Sequence, residues 1–332
     1  MSNSPANALR LGTRRSKLAM AQSGLVAEQV RRVTGRPVEL VEITTYGDTS
    51  REHLAQIGGT GVFVTALRDA LYGGRIDFAV HSLKDLLTAQ PDGLTLAAVP
   101  RRADPRDVLI ARDGLRFEEL AASARTTGRP ARVGTGSPRR MSQLAAWARG
   151  LSAEIETVPI RGNIDTRIGY VRSGELDAVV LAAAGMERTG RLHEVTELLS
   201  PDVVLPAPGQ GALAVECASA DVHLAAQLAE LDDPHTRAAV TAERTLLAAL
   251  EAGCSAPVGA LADLLGDGRI ATEMRLRGVV GTIDGETLVQ LSTTGPVPAS
   301  AEGAATPEHM GRELADEMLA KGAAGLMGER AL

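Results

Sequence analysis

Aromatic residues are nearly missing: phenylalanine, tryptophan and tyrosine together make up 2% of the 332 residues. That excludes a nucleic-acid platform built on base stacking, which needs many aromatic faces. Cysteine is as scarce. Cys217 and Cys254 are the only two, too few for a disulfide framework or a cysteine-based zinc site. The six histidines fall in no ligand spacing, and neither a P-loop nor a Gly-x-Gly-x-x-Gly turn after a strand occurs. No metal or nucleotide chemistry is expected. Apolar runs are short; Ala178 to Met186 is among the longest and falls far below a bilayer span. Met1 to Arg10 lacks the apolar core of a signal peptide, so the expectation is a cytoplasmic chain without a membrane partner. Net positive charge is lacking as well. The formal balance is −6, which argues against generic nucleic-acid binding.

Against that acidic background the arginines are concentrated. Gly134-Thr135-Gly136-Ser137-Pro138-Arg139-Arg140 is followed by Arg161-Gly162-Asn163-Ile164-Asp165-Thr166-Arg167, each after a short apolar run that reads as a strand. Ser137 then Pro138 is a helix start, with serine as N-cap and proline at the first helical position. Arg139 and Arg140 then fall in the first turn, where the helix dipole gives a cation no benefit. A bound anion explains the pair better, because guanidinium groups grip carboxylates and phosphates bidentately.

Strands and helices alternate through the first two hundred residues. Apolar spacing predicts helices over Ser16–Val33, Val62–Leu71, Pro138–Arg149 and Ile164–Arg172. Strands are predicted over Val38–Thr45, Ile76–Val80, Leu94–Val99, Ala131–Val133, Ile155–Ile160 and Ala178–Leu181. Such alternation implies α/β architecture: largely parallel sheets with helices on both faces, in two halves. Asp104-Pro105-Arg106-Asp107 and Leu205 to Gly211 read as hinges, so the chain would leave the first half and return to it. The last hundred residues differ. Asp267-Gly268 and Asp284-Gly285 read as hairpin turns around Ile270–Val280, and Pro307–Lys321 reads as a helix, giving a small α+β unit.

Polar clusters fall at predicted strand ends, where open α/β sheets bind ligands. Two facing halves would make a cleft lined by Ser82, Lys84, Asp85, Ser137, Arg139, Arg140, Arg161 and Arg167. Asp85 stands among cations that favour its ionised form. It reads either as a carboxylate that steadies a cationic intermediate and moves protons, or as a structural cap or ion-pair partner. Cys254, among glycine, serine and proline, is either a reachable thiol or one more packing cysteine, whereas Cys217 reads as packing. Thr49 to Gly61, polar and glycine-ended, is either a mobile lid or an ordinary solvated loop.

Taken in order, Leu11-Gly12-Thr13-Arg14-Arg15-Ser16, His81-Ser82-Leu83-Lys84-Asp85, Gly134 to Arg140, Arg161-Gly162-Asn163, Pro208-Gly209-Gln210-Gly211 and Gly253-Cys254 resemble the porphobilinogen deaminase family. The resemblance implies two doubly wound domains like those of periplasmic binding proteins, plus a small α+β C-terminal domain. Their expected bounds are 1–104 with 210–229, then 105–209, then 230–332. It implies head-to-tail condensation of four porphobilinogen molecules into hydroxymethylbilane with loss of ammonia. A dipyrromethane cofactor would be joined by a thioether to Cys254, and Asp85 would be the catalytic carboxylate. Arg14, Ser16, Ser82, Lys84, Thr135 and Ser137 would hold substrate or cofactor. So would Arg139, Arg140, Arg161, Gly162, Arg167, Arg188 and Gln210. A monomer that passes its product to uroporphyrinogen-III synthase is the matching expectation for partners. Thr60, Thr65, Leu87 and Pro138 depart from the commonest bacterial pattern. A non-enzymatic anion-binding protein of the same two-lobed fold would explain the arginines, but not Asp85, Cys254 and the third domain together.

Overall fold

Buried Leu9 and Leu11 anchor the first strand, β1 (Leu9–Thr13), in the computed structural model, which describes residues 8–43, 61–252, 256–266, 271–297 and 305–327. The serine oxygen of Ser16 then caps α1 (Lys17–Thr34) by accepting from the Ala19 amide at 3.2 Å, satisfying one of the orphan donors of the first turn. After β2 (Val38–Glu42) come α2 (Gly61–Tyr72), β3 (Phe78–Ser82) and β4 (Leu94–Ala98). The next stretch contains β5 (Asp107–Ala111), α3 (Phe117–Thr127), β6 (Ala131–Thr135), α4 (Pro138–Gly150) and β7 (Ile155–Pro159). It continues through α5 (Ile164–Arg172), β8 (Ala178–Ala182), α6 (Ala183–Arg188) and β9 (Glu197–Leu198). Then follow β10 (Leu213–Ala218), α7 (Val222–Ala229), α8 (Pro234–Ala249), β11 (Val258–Gly266), β12 (Ala271–Gly281), β13 (Leu288–Pro296) and α9 (Ala305–Ala320).

The chain divides into two units, Met1–Ala103 with Ala212–Arg237 and Asp104–Gly211 with Ala238–Leu332. The first holds a five-stranded sheet in the order β2-β1-β3-β10-β4. β1 runs parallel to β2 and β3, whereas β10 is antiparallel to both β3 and β4. Helices cover both faces. Leu9, Leu11, Val26, Val30, Phe78 and Val215 pack with Leu224 and Leu228 on one side, and Ile43, Leu67, Leu71, Ile76 and Ala79 pack on the other.

The second unit repeats that plan in β7-β6-β8-β5-β9, with β5 antiparallel to β8 and β9. Successive strand residues serve opposite faces: Leu109, Val133 and Val180 meet Phe117 and Leu144, while Val108, Ile110, Val179 and Leu181 meet Ile168 and Met186. In each sheet the antiparallel strand is the first one after the chain crosses over, β5 in one and β10 in the other. The architecture is α/β, doubly wound twice, as the alternation predicts. Its sheets are mixed where the sequence suggested mostly parallel ones, because a strand entering by a crossing arrives from the opposite end.

The second unit also contains a three-stranded antiparallel sheet, β11-β12-β13, packed on α8 and α9 through Leu246, Leu250, Met274, Leu276, Leu314 and Met318. Met274 and Leu276 are buried between exposed Glu273 and Arg275, the alternation read from the sequence. The Asp284-Gly285 turn joins β12 to β13, whereas Asp267-Gly268 lies outside the described residues. No helix among the described residues is long and apolar enough to cross a membrane.

Candidate active site

In the first unit, β1 and β3 are parallel and end side by side. Arg14 follows β1, and a single 3-10 turn, Leu83–Asp85, follows β3. Buried Leu83 plugs this turn into the core, and its amide donates to the Ala212 carbonyl at 3.0 Å. That fixes where Lys84 and Asp85 emerge. Ser82 accepts from Gln22 Nε2 at 2.9 Å, and Ser16 is occupied as the α1 cap. Burial pushes the Asp85 carboxyl above its ordinary value, with Lys84, Arg14 and His81 pulling the other way and losing. This corrects the expectation that neighbouring cations dominate: burial outweighs them, so Asp85 gains its proton at higher pH than a free aspartate.

In the second unit, Thr135 ends β6 and its Oγ1 accepts from the Ser137 amide at 3.2 Å. Ser137 sits at the N-cap of α4 in an extended conformation but makes no side-chain cap bond, and Pro138 occupies the first turn as expected. Arg139 and Arg140 follow, 3% and 5% exposed. The anion they face is the chain's own. Asp107 Oδ2 lies 2.8 Å from Arg139 Nη1, and Asp107 Oδ1 lies 2.7 Å from Arg140 Nη2. Burial works against the Asp107 charge, but the two guanidiniums overcome it and hold its carboxyl well below the usual range. Arg139 also donates to the Leu205 carbonyl and Arg140 to that of Val180.

In the sequence Asp107 belongs to a segment that reads as a hinge. It is the first residue of β5, and β5 runs antiparallel to β8, pairing Asp107 with Ala182. An antiparallel strand therefore begins where its parallel neighbours end. Gln210 Nε2 joins the cluster, donating to Asp107 Oδ1 at 2.8 Å and to the Pro105 carbonyl at 2.7 Å. Leu205 and Gln210 are each 1% exposed, so Leu205 to Gly211 is a packed, hydrogen-bonded crossing and not a loose hinge.

The remaining arginines lie around the same sheet end. Arg161 is exposed. Gly162, at φ +110°, turns the chain so that its carbonyl accepts from Arg167 Nε at 2.9 Å. Burial and the Arg140 charge lower the Arg167 pKa, and burial lowers that of Arg188, whose Nη2 donates to the Gly211 carbonyl at 2.6 Å.

The charges in this unit do not cancel. Two buried guanidiniums share one carboxylate, and the Nε atoms of both Arg139 and Arg140 are buried without a hydrogen-bond partner. Orphaned buried donors beside surplus positive charge suit a ligand that carries carboxylates. The donor set therefore fits a group with several acidic side chains, such as a dipyrromethane. Cys254 and nearly all of the Thr49–Gly61 segment, Thr60 included, lie outside the described residues. Cys217 is fully buried, and burial pushes its thiol up to about 11, in keeping with a packing role. No group of three or more histidine, cysteine, aspartate or glutamate residues suited to a metal ion occurs among the described residues.

Doubly wound sheets with arginines at their strand ends define a class: α/β proteins that hold a small, multiply anionic ligand. Comparison with known proteins narrows the class. The chain belongs to the porphobilinogen deaminase family. A family model described as porphobilinogen deaminase, dipyrromethane cofactor binding domain, matches residues 9–226, and the C-terminal domain model matches 237–320. Porphobilinogen deaminase 1 of Streptomyces avermitilis is 78% identical over 97% of this chain and 98% of its own length. The Thermobifida fusca porphobilinogen deaminase is 53% identical over 100% of this chain and 98% of its own. Among solved structures, a Salmonella typhimurium periplasmic binding protein described as highly specific for arginine matches at 12% identity and TM-score 0.38. That match covers 70% of this chain and 94% of the other.

Proposed function

We propose that the chain is a transferase that condenses four porphobilinogen molecules into hydroxymethylbilane on a dipyrromethane attached through Cys254. When bound, the dipyrromethane supplies the pyrrole primer to which substrate units are added. The observation that carries the reading is the surplus positive charge of Arg139 and Arg140, with unpartnered Nε donors. Every added porphobilinogen unit brings an acetate and a propionate, so the charge to be held grows with each step.

Arg139, Arg140, Arg161, Arg167 and Arg188 bind and orient those carboxylates, with Gln210 holding Asp107 and Thr135, Ser137 and Gly162 shaping the turns. In the first unit, Arg14 and Lys84 bring positive charge to Asp85, while Ser16 caps α1 and Ser82 closes β3. The Asp85 carboxylate stabilises positive charge on a pyrrole nitrogen and accepts the proton released there. Its burial serves that task, because an ion pair is stronger away from water. We propose further that the three-stranded sheet with its helices acts as a third domain. In this reading the protein works as a cytoplasmic monomer and passes its product to uroporphyrinogen-III synthase.

Intact mass of the purified chain tests the attachment. An excess matching two linked pyrrole units is expected in the wild type, retained in Cys217→Ala and absent from Cys254→Ala. No excess in the wild type favours a plain anion-binding protein. Asp85→Asn keeps size and removes the charge; with cofactor loading matched, turnover should fall on the order of a hundredfold or more. Turnover within tenfold of wild type assigns this chemistry to another group.

A further inference from the structure

One side chain grips Leu205 at both of its backbone polar groups. Gln143, on α4 and 5% exposed, accepts from the Leu205 amide through Oε1 at 2.7 Å and donates to the Leu205 carbonyl through Nε2 at 3.0 Å. A side-chain amide carries donor and acceptor together, which suits it to this double hold. The same carbonyl also accepts from Arg139 Nη1. Arg139 and Gln143 stand four positions apart on α4, so they share one face of the helix. The Leu205 side chain is buried against Leu261 of β11 and Val279 of β12, and a Cβ at Gly259 would lie 3.0 Å from the Leu205 carbonyl oxygen. That oxygen is a fixed point, held by the three-stranded sheet on one side and by Gln143 on the other.

Arg139 has a second anchor in Asp107 Oδ2, 2.8 Å from the same Nη1, while its Nε is buried without a hydrogen-bond partner. Because the guanidinium is planar, two acceptors on one of its nitrogens set the plane and so the direction of the remaining donors. We infer that Gln143 is a positioning residue for Arg139: by immobilising the Leu205 carbonyl it aims the Arg139 Nε–H at a carboxylate of the substrate or the cofactor. The inference rests on the reading of Arg139 as a carboxylate-binding residue.

Gln143→Met keeps length and volume but removes both hydrogen bonds. In cofactor-loaded enzyme, KM for porphobilinogen should rise about tenfold, the loss of roughly one charge-assisted hydrogen bond, with kcat changed far less. Arg139→Lys should raise KM as well, and the double variant should add nothing further, because both changes remove the same interaction. The Arg139 Nε–H resonance, assigned by its disappearance in Arg139→Lys, should exchange with solvent faster in Gln143→Met. A glutamine that only satisfies the Leu205 peptide would lower stability in denaturant and leave KM and that resonance as in wild type, which overturns the inference. Additive effects on KM overturn it as well. Should Gln143→Met fail to fold or to load cofactor, Gln143→Glu carries the test. Its carboxylate pairs with Arg139 in place of the ligand, so KM must rise or the loaded fraction fall, and wild-type values of both overturn the inference. Failure of the underlying reading is separately visible: Arg139→Lys would then keep wild-type KM and loading, while the faster exchange in Gln143→Met remained.

Discussion

Asp107 shows how much one buried carboxylate decides. It meets two guanidiniums and the Gln210 amide at no exposure to solvent. Asp107→Asn preserves its shape but leaves two buried cations without compensation. Breaking a buried pair in this way costs roughly 3–5 kcal/mol, and denaturant unfolding of the variant should show it. The pH dependence has a definite sign. The folded pKa of Asp107 is depressed, so its stabilisation is present above the ordinary aspartate value of about 3.9 and is lost as pH falls toward the depressed one. Stability of the variant should therefore fall less steeply in acid than that of the wild type. Cys217 behaves oppositely to a reactive cysteine. Fully buried, with its thiol pushed up to about 11, it should resist iodoacetamide in the native protein and react once the chain is unfolded, as peptide mapping would reveal.

At the scale of elements, the α4 helix bearing Arg139 and Arg140 is held by more than its own sheet. The turn between β12 and β13 approaches it backbone to backbone. Gly285 has φ +68°, and a Cβ there would lie 2.3 Å from the Ala146 amide nitrogen and 2.6 Å from the Ser142 carbonyl oxygen. Glycine is required twice over, for the left-handed turn and for the close approach. Gly285→Ala should cost about 1–3 kcal/mol from overpacking, together with about 1 kcal/mol for the turn conformation. Because the strain falls on α4, the variant should also take up less cofactor, measurable as the loaded fraction by intact mass. Full loading with wild-type stability would show that the turn and the helix are independent. The direction of β5 is the other decision made at this scale, since a parallel strand would carry Asp107 to the far end of the sheet.

For the molecule as a whole, one buried glutamate helps tie the crossing segment of the second unit to its three-stranded sheet. Glu243 of α8 is fully buried; Oε2 accepts from the Gly209 amide at 2.7 Å and Oε1 from the Ala262 amide at 2.9 Å. It ties the crossing segment beside Gln210 to β11, next to the Ala260 amide that donates to the Pro206 carbonyl at 2.9 Å. Glu243→Ala orphans both buried donors. At about 1–3 kcal/mol each, the loss should reach roughly 2–6 kcal/mol. Hydrogen exchange at Gly209 and Ala262 should quicken together; quickening at one alone would mean the clamp is not shared.

The sequence by itself determined the elements and the chemistry they carry. Apolar spacing located α1, α4, α5 and most strands, because burial on one face imposes a period that a single chain displays. Proline and serine marked the start of α4, and the ordered motifs carried the family. Only the tertiary structure decided which charges meet. Asp107 lay inside a segment that reads as a turn, and nothing local to Asp-Pro-Arg-Asp reveals that it opens an antiparallel strand. Glu216 and His81 are 135 positions apart by their residue numbers and meet through a β10–β3 register. Asp85 carried the same lesson for electrostatics. Lys84 could be read from the sequence beside it, but the approach of Arg14 from the end of β1 and the burial that outweighs both cations are properties of the packed sheet, where charge loses water to atoms drawn from distant parts of the chain.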